Sequence, residues 1–267
     1  MHNIKWLLVV IGGFLLAYAI LIEPNWIQVS NYAIASKGTS SVRVVQISDL
    51  HFKGIGNRER QIINKLFSLR PDLIIFSGDV IDNTEHLDEL EIYLSMMPDC
   101  KKFAVFGNWE YWSGIDRERL SNIYKKLQVR LLINERSNIQ VRQNGIAIIG
   151  LDDFTAGDPN PEGLLINDAN NFQILVEHSP GYFGKDQKTA NLNLMKNALC
   201  LSGHTHGGQI SLFGYPIWTP PGSGKFISGW YKVNECRLYV SRGLGTSILP
   251  IRFWSRPEIA VFDIGKI

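Results

Sequence analysis

Residues 42–82 read VRVVQISDLHFKGIGNRERQIINKLFSLRPDLIIFSGDVID, and the fold follows from this stretch. Residues 42–47 are a short apolar run that reads as a strand. Residues 57–69 place Ile62, Ile63, Leu66 and Leu69 on one helical face, and residues 73–76 form a second apolar strand. Strand, amphipathic helix and strand in that order make a βαβ unit, in which a helical crossover joins two parallel strands. Active sites of such sheets lie at the carboxyl ends of the strands. Those ends carry Asp49-Leu-His51 and Gly78-Asp79-Val-Ile-Asp82.

The alternation continues downstream, with a helix expected at 85–95, a strand at 103–106 and a helix at 116–127. From Leu131 the chain turns strand-rich, with apolar runs at 139–142, 146–151, 172–176, 198–201, 210–213, 237–241 and 259–262. A second, mixed sheet is the natural outcome. Packed on the first with helices outside, it makes an α/β fold, a four-layer sandwich of two mixed β-sheets flanked by helices. Residues 152–163 and 215–229 resist both periodicities. Their glycines and prolines mark them as long loops, which near strand ends are often substrate walls.

The remaining strand ends carry the same chemistry as the first two. Gly107-Asn108-Trp109-Glu110 follows the third strand, Glu177-His178-Ser179 follows 172–176, and Ser202-Gly-His204-Thr-His206-Gly-Gly-Gln-Ile210 follows 198–201. Taken singly, each is a turn former or a helix cap. Five in register are poorly explained that way, and four of the six histidines fall in these positions, leaving only His2 and His86 elsewhere. Mixed imidazole, carboxylate and amide donors suit manganese, iron or zinc. Calcium prefers oxygen and has little use for four imidazoles.

This order, D-x-H, GDxxD, GN, a lone H and GHTHGGQ, resembles the calcineurin-like metallophosphoesterase family over residues 43–263. Within it the chain looks most like a membrane-linked bacterial branch with an N-terminal apolar segment, a Glu-Pro-x-Trp junction (Glu23 to Trp26) and a Ser-Arg-Gly-Leu-Gly-Thr-Ser stretch (residues 241–247). The resemblance implies a dinuclear site: one metal on Asp49, His51 and His206, the other on Asn108, His178 and His204, with Asp79 bridging. It implies two divalent ions, manganese first, with iron or zinc as alternatives. Such a pair activates a water and neutralises phosphoryl oxygens during in-line displacement.

In most of that family Gly-Asn is followed by a histidine that contacts the phosphate and helps protonate the leaving group; here the residue is Trp109. An indole has one donor and delivers no proton at neutral pH. Where a general acid is needed, its loss costs about 10² to 10⁴ in rate. Three accommodations are open. The leaving group is a phosphate or nucleotide anion that needs no proton; another residue acts, with His86, Lys225, Arg242 and Arg252 nearest by loop position; or the protein keeps its metals without catalysis. Asn108, Lys225, Arg242 and Arg252 are also the candidate substrate contacts. Trp109, Tyr111 and Trp112 read equally as helix-start packing and as a substrate wall. The family's pyrophosphatases acting on UDP-2,3-diacylglucosamine are a partial comparison, since one branch of them also departs from histidine at this position, to arginine.

Composition bounds the partners. The 267 residues, 45% of them hydrophobic, suffice for one large domain behind a short appendage. With 27 basic and 25 acidic residues, there is no long basic track for nucleic acid. Residues 6–22 carry no charge and span roughly 26 Å as a helix, the short end of what a bilayer needs. Trp6 and Trp26 fit interfacial anchors and Pro24 ends the helix. The competing reading is a cleaved signal peptide, because Ala17-Tyr18-Ala19 has the small-x-small form of a cleavage site. The expected organisation is an anchor or signal peptide over 1–25, a linker over 26–41 and a metallophosphoesterase domain over 42–267, held at a bacterial inner membrane by a single N-terminal pass. Lys5 favours an exported domain and the unpaired cysteines favour the other side, so the sequence leaves the membrane face open. Cys100, Cys200 and Cys236 are odd in number and widely spaced, so buried or free thiols are expected.

The expected function is that of a metal-dependent phosphoester hydrolase at a membrane surface. It would cleave a phosphodiester or pyrophosphate bond with a good leaving group, in a phosphorylated and lipid-linked substrate such as UDP-2,3-diacylglucosamine. The alternatives are a general phosphodiesterase or phosphatase without lipid preference, and a non-catalytic metal-binding scaffold.

Overall fold

The computed structural model describes residues 2–38, 40–184, 190–195 and 198–265. Helix α1 (His2–Ala17) continues into a π-turn over Tyr18–Ile22 and a 3-10 turn over Glu23–Asn25, and strand β1 (Gln28–Ala35) follows. The βαβ unit then appears as β2 (Val42–Ile47), α2 (Asn57–Leu69) and β3 (Leu73–Ser77). After it come α3 (Leu87–Ser95), β4 (Lys101–Val105), α4 (Trp109–Trp112), α5 (Arg117–Lys126) and β5 (Val129–Leu131). Strands β2 to β5 are neighbours and parallel. Their crossover helices cover one face, where Ile62, Leu66, Leu90 and Leu120 pack with Val45, Ile47, Ile74 and Phe76.

Strand β14 (Glu258–Gly265) lies antiparallel to β2, and β1 pairs in parallel with β14 at the edge of the sheet. Residues 28–35 therefore belong to the sheet, which corrects the linker expected over 26–41. The local signal is weak, since only Val29 on one face and Tyr32 and Ile34 on the other mark the period of two. The partner strand lies near the far end of the chain, from Glu258 onward.

The second sheet has the order β12-β13-β9-β8-β7-β6. Its members are β6 (Glu135–Val141), β7 (Asn144–Gly150), β8 (Asn171–Val176), β9 (Ala198–Ser202), β12 (Gly229–Val233) and β13 (Cys236–Val240), while β10 (Ser211–Leu212) and β11 (Tyr215–Pro216) form a separate hairpin. Both sheets are mixed. They face each other through Val44, Ile75, Phe103, Ile148, Val176 and Tyr239. The outer face of the second sheet is covered by the 3-10 turns Pro180–Gly184 and Ala190–Leu194, which bring Tyr182, Phe183 and Leu192 onto it. The architecture is thus the expected four-layer α/β sandwich. At the site end, buried Gln46 of β2 donates to Ser77 Oγ of β3 and to the Ser202 carbonyl of β9, 2.9 Å each, and so ties the two sheets together.

Cys200 and Cys236 form a disulfide between the parallel neighbours β9 and β13, with Cα atoms 6.0 Å apart, and Cys100 is the free cysteine. This corrects the expectation of unpaired thiols; a separation of 36 residues carries no local pairing signal. For a loop of that length, reduction is expected to lower stability by roughly 4 kcal/mol. Thermal melts with and without reductant check this. A thiol titration in denaturant should count one reactive group, and three would refute the disulfide.

Candidate metal centre

The carboxyl ends of both sheets meet at one point. Asp49 and His51 follow β2, Asp79 follows β3, Asn108 follows β4, His178 follows β8, and His204 and His206 follow β9. All seven side chains are buried. Sharp turns bring them in: Asp49, His51, Asp79, His204 and His206 all have positive φ, between 44° and 70°. Such backbone costs of order 1 to 3 kcal/mol per residue and persists where function requires it. Gly78, itself at φ 95°, has no room for a side chain, since a Cβ there would sit 2.4 Å from His178 Nδ1. At Gly107 a Cβ would lie 2.3 Å from Asp79 Oδ1.

The side chains form two groups, Asp49 with His51 and His206, and Asp79 with His178 and His204, each with its ligand atoms within 4.8 Å of one another. Asp79 faces both, with Oδ2 3.1 Å from His178 Nε2 and 3.7 Å from His51 Nε2. Outer partners set the imidazole tautomers. His51 Nδ1 is paired with the Asp82 carboxylate. His178 Nδ1 donates to the Ser77 carbonyl at 2.7 Å, and His204 Nε2 donates to the Pro221 carbonyl at 2.8 Å. Each of these three rings therefore turns a lone pair inward.

Two observations match this donor set to bound cations. His178 Nε2 is buried and makes no well-formed hydrogen bond among the described residues, with the Asp79 carboxylate, itself an acceptor, 3.1 Å away. The inward lone pair of His204 Nδ1 meets Asn108 Oδ1, another acceptor, at 2.7 Å. Converging lone pairs repel unless a cation lies between them. Burial, then His51 and Arg252, keep His206 well below the usual histidine range and neutral. Together the residues fit two divalent ions.

A cavity of about 470 Å³ opens onto this group. Asp79, Asn108, His204 and His206 line its polar end, while Trp109, Trp112, Ile217, Trp218, Ile248 and Leu249 form apolar walls. Of the two long loops, 215–229 supplies wall residues. The loop 152–163 instead folds on Asp153, whose carboxylate accepts from Thr155 N, Ala156 N and Ser179 Oγ.

Of the four candidate substrate contacts, only Asn108 lines the cavity. Lys225 is exposed with its ammonium over the Phe226 ring, Arg242 pairs with Glu258 at 3.0 Å, and Arg252 is fully buried and donates to the carbonyls of Gly245, Ser255 and Arg242. Arg252 is thus a brace for the loop behind His206, and His86 sits in a 3-10 turn away from the cavity. Trp109 lies at the cavity wall, its ring edge-on to His51 at 5.6 Å.

Several supporting residues were not assigned from sequence. The Glu110 carboxylate takes the backbone N–H groups of Asp79, Val80 and Gly107, and burial followed by the Asp79 charge pushes its carboxyl up to about 7. Glu23, at the end of the N-terminal helix, accepts from Trp254 N and Ser255 N, and Ser255 Oγ donates to the His206 carbonyl at 2.6 Å. Asp82 and Glu110 sit inside the motifs already quoted, which was the available signal; Glu23 had none beyond its place in the Glu-Pro-x-Trp junction. Outer partners of metal-binding histidines are worth about 10- to 100-fold in affinity. Asp82→Asn is expected to weaken metal binding by that factor in a competition titration against a fluorescent chelator, and unchanged affinity would remove Asp82 from this role.

Residues 42–208 match the calcineurin-like phosphoesterase family. The chain is 32% identical over 272 residues to YkuE, an uncharacterized metallophosphoesterase of Bacillus subtilis, covering 95% of this chain and 90% of that one. It is 26% identical to the phosphodiesterase YaeI of Escherichia coli, covering 91% and 90%, and 29% identical to a metallophosphoesterase of Aquifex aeolicus, covering 91% and 94%.

Proposed function

We propose that this chain, which belongs to the calcineurin-like phosphoesterase family and hydrolyses phosphoester bonds, acts at a membrane surface on a lipid-linked phosphodiester or diphosphate whose leaving group needs no proton. The observation that carries this reading is one cavity in which apolar walls run directly into the candidate metal ligands. A phosphate would sit against Asn108, Asp79 and His204, and apolar chains against Ile217, Trp218, Ile248 and Leu249. Two divalent ions, manganese first, would supply the activated water and neutralise the phosphoryl charge. The residues do the rest. Asp79, held by the Trp109 backbone N–H at 2.8 Å, keeps its charge between the two groups, and Asp82 and the Ser77 carbonyl hold two imidazoles in register. At position 109 an indole wall excludes water where an imidazole acid would stand, which suits a phosphate or nucleotide leaving group.

The membrane half of the reading rests on Ile4–Asn25, a stretch of 22 residues long and apolar enough to cross a bilayer. Retention is supported over cleavage because the small-x-small stretch is built into the domain. The Ala19 carbonyl accepts from Arg252 N at 2.9 Å, and the Tyr18 ring meets Phe253 edge-on at 6.3 Å. The Cys200–Cys236 disulfide supports an exported domain. The test is a substrate profile with manganese: a phosphodiester or diphosphate on long acyl chains, UDP-2,3-diacylglucosamine included, against water-soluble aryl diesters and monoesters. Preference for the acylated substrates is expected. Equal turnover of soluble esters would leave a general phosphodiesterase, and silence on all with metal bound a scaffold.

A further inference from the structure

The tip of the β10–β11 hairpin is Phe213-Gly214, with φ of 53° and 84°. Of the tight two-residue hairpin turns, type I′ requires positive φ at both positions, which glycine and asparagine adopt easily. A bulky aromatic there is strained. Phe213 is nevertheless 76% exposed, so the strain is not repaid by burial within the chain. Its neighbours on this side are also apolar and outward: Tyr215 at 78%, Ile217 at 72% and Ile248 at 76%. Contiguous exposed apolar surface of this kind marks an interaction site.

The position of the patch identifies its partner. The Phe213 ring packs on Trp254 at 4.9 Å, Trp254 on Phe253 at 5.4 Å, and Phe253 on Tyr18 at the end of the N-terminal apolar helix. Glu23 fastens the same loop to that helix through Trp254 N and Ser255 N. At the edge, the Arg256 guanidinium lies 3.9 Å over the Trp26 ring, a cation and an aromatic paired as at a headgroup layer. Phe, Tyr and Trp on one surface, continuous with an apolar helix, are what a bilayer interface takes up.

We infer that the hairpin tip, together with Ile248 and Trp254, enters the same bilayer as α1 and sets the cavity mouth at headgroup depth. Ile217 and Ile248 belong both to this surface and to the cavity wall. A phosphate at headgroup depth would then reach Asp79 and Asn108 while its acyl chains stay in lipid. The inference rests on the proposed reading of α1 as a membrane anchor, and it adds a second, peripheral contact that orients the domain.

The full chain in phosphatidylcholine–phosphatidylglycerol nanodiscs tests it, with photoreactive benzoylphenylalanine placed at position 213, at 215, or at 101. Lys101 begins β4, whose opposite end carries the site, and is the control. Lipid adducts at 213 and 215 at least about tenfold above position 101 are expected for inserted side chains. Adducts no more frequent than at 101, or chain-to-chain products in their place, would overturn the docking. The double variant Phe213→Asp, Tyr215→Asp is expected to lose about tenfold in turnover of an acylated phosphodiester in nanodiscs and to keep its rate on a soluble aryl diester. An equal loss on both overturns the orienting role. Failure of the chain to stay in the nanodisc would sink the anchor reading, and absence of aryl ester turnover the hydrolase reading; the adducts at 213 and 215 are read separately from both.

Discussion

Asp79→Ala is expected to lower kcat by at least about 10³-fold, roughly 4 kcal/mol of barrier, and to reduce bound metal from two ions per chain to fewer than one. The geometry explains why so much depends on one carboxylate. Asp79 Oδ2 faces His178 of one group and His51 of the other, while Oδ1 accepts from the Trp109 backbone. Removing it takes away the acid that approaches both imidazole sets most closely, since Asp49 Oδ1 lies 3.5 Å from His206 Nε2 and 4.0 Å from His178 Nε2, and it leaves the Trp109 N–H without its acceptor. Glu110 cannot take over, because its oxygens are occupied by four backbone N–H groups, those of Asp79, Val80, Ile81 and Gly107. Steady-state kinetics on an aryl diester and metal content by mass spectrometry decide the matter. Two tightly held ions with more than about a tenth of wild-type activity would sink the bridging role.

Trp109→His is expected to raise turnover of substrates with poor leaving groups by about 10² to 10⁴, the usual range for a gained general acid, and to change good leaving groups little. The backbone N–H that holds Asp79 is unaffected by the side chain, so metal content should stay constant. The exchanged part is the indole at the cavity wall, beside His51. Losing that apolar surface should also raise KM for acylated substrates by roughly tenfold, since burial of apolar area contributes about 25 cal/mol per Å². A series of aryl diesters of graded leaving-group pKa provides the readout. A steep dependence in the wild type that flattens in the variant is the expected pattern, and an equal gain across the series would contradict the leaving-group argument.

The metal-type residues were legible because each stands two to four positions past an apolar strand, as with Asp49 and His51 after β2 or Asp79 after β3. Strand pattern and motif are both local, and the rule that sites lie at carboxyl ends connects them. The basic candidates stand out in the sequence by charge and loop position alone, and neither property locates a side chain. Arg252 is enclosed by the carbonyls of Gly245, Ser255 and Arg242, and Arg242 is held by Glu258, whereas the aromatic and aliphatic wall of 217, 218, 248 and 249 lines the cavity.

By itself the sequence determined the alternation of strand and helix, the sandwich that alternation implies, and which residue types stand at each strand end. These depend on periodicity and on neighbours a few residues apart. Tertiary structure alone decided that Cys200 meets Cys236, that residues 28–35 close the first sheet beside β14, and that Glu23 holds the loop behind His206. It also decided that His204 Nδ1 confronts Asn108 Oδ1, because a ring's donor and acceptor sides follow from its partners, here the Pro221 carbonyl. Pairings between distant segments are selected by the packing of whole sheets, and no local pattern of residues encodes them.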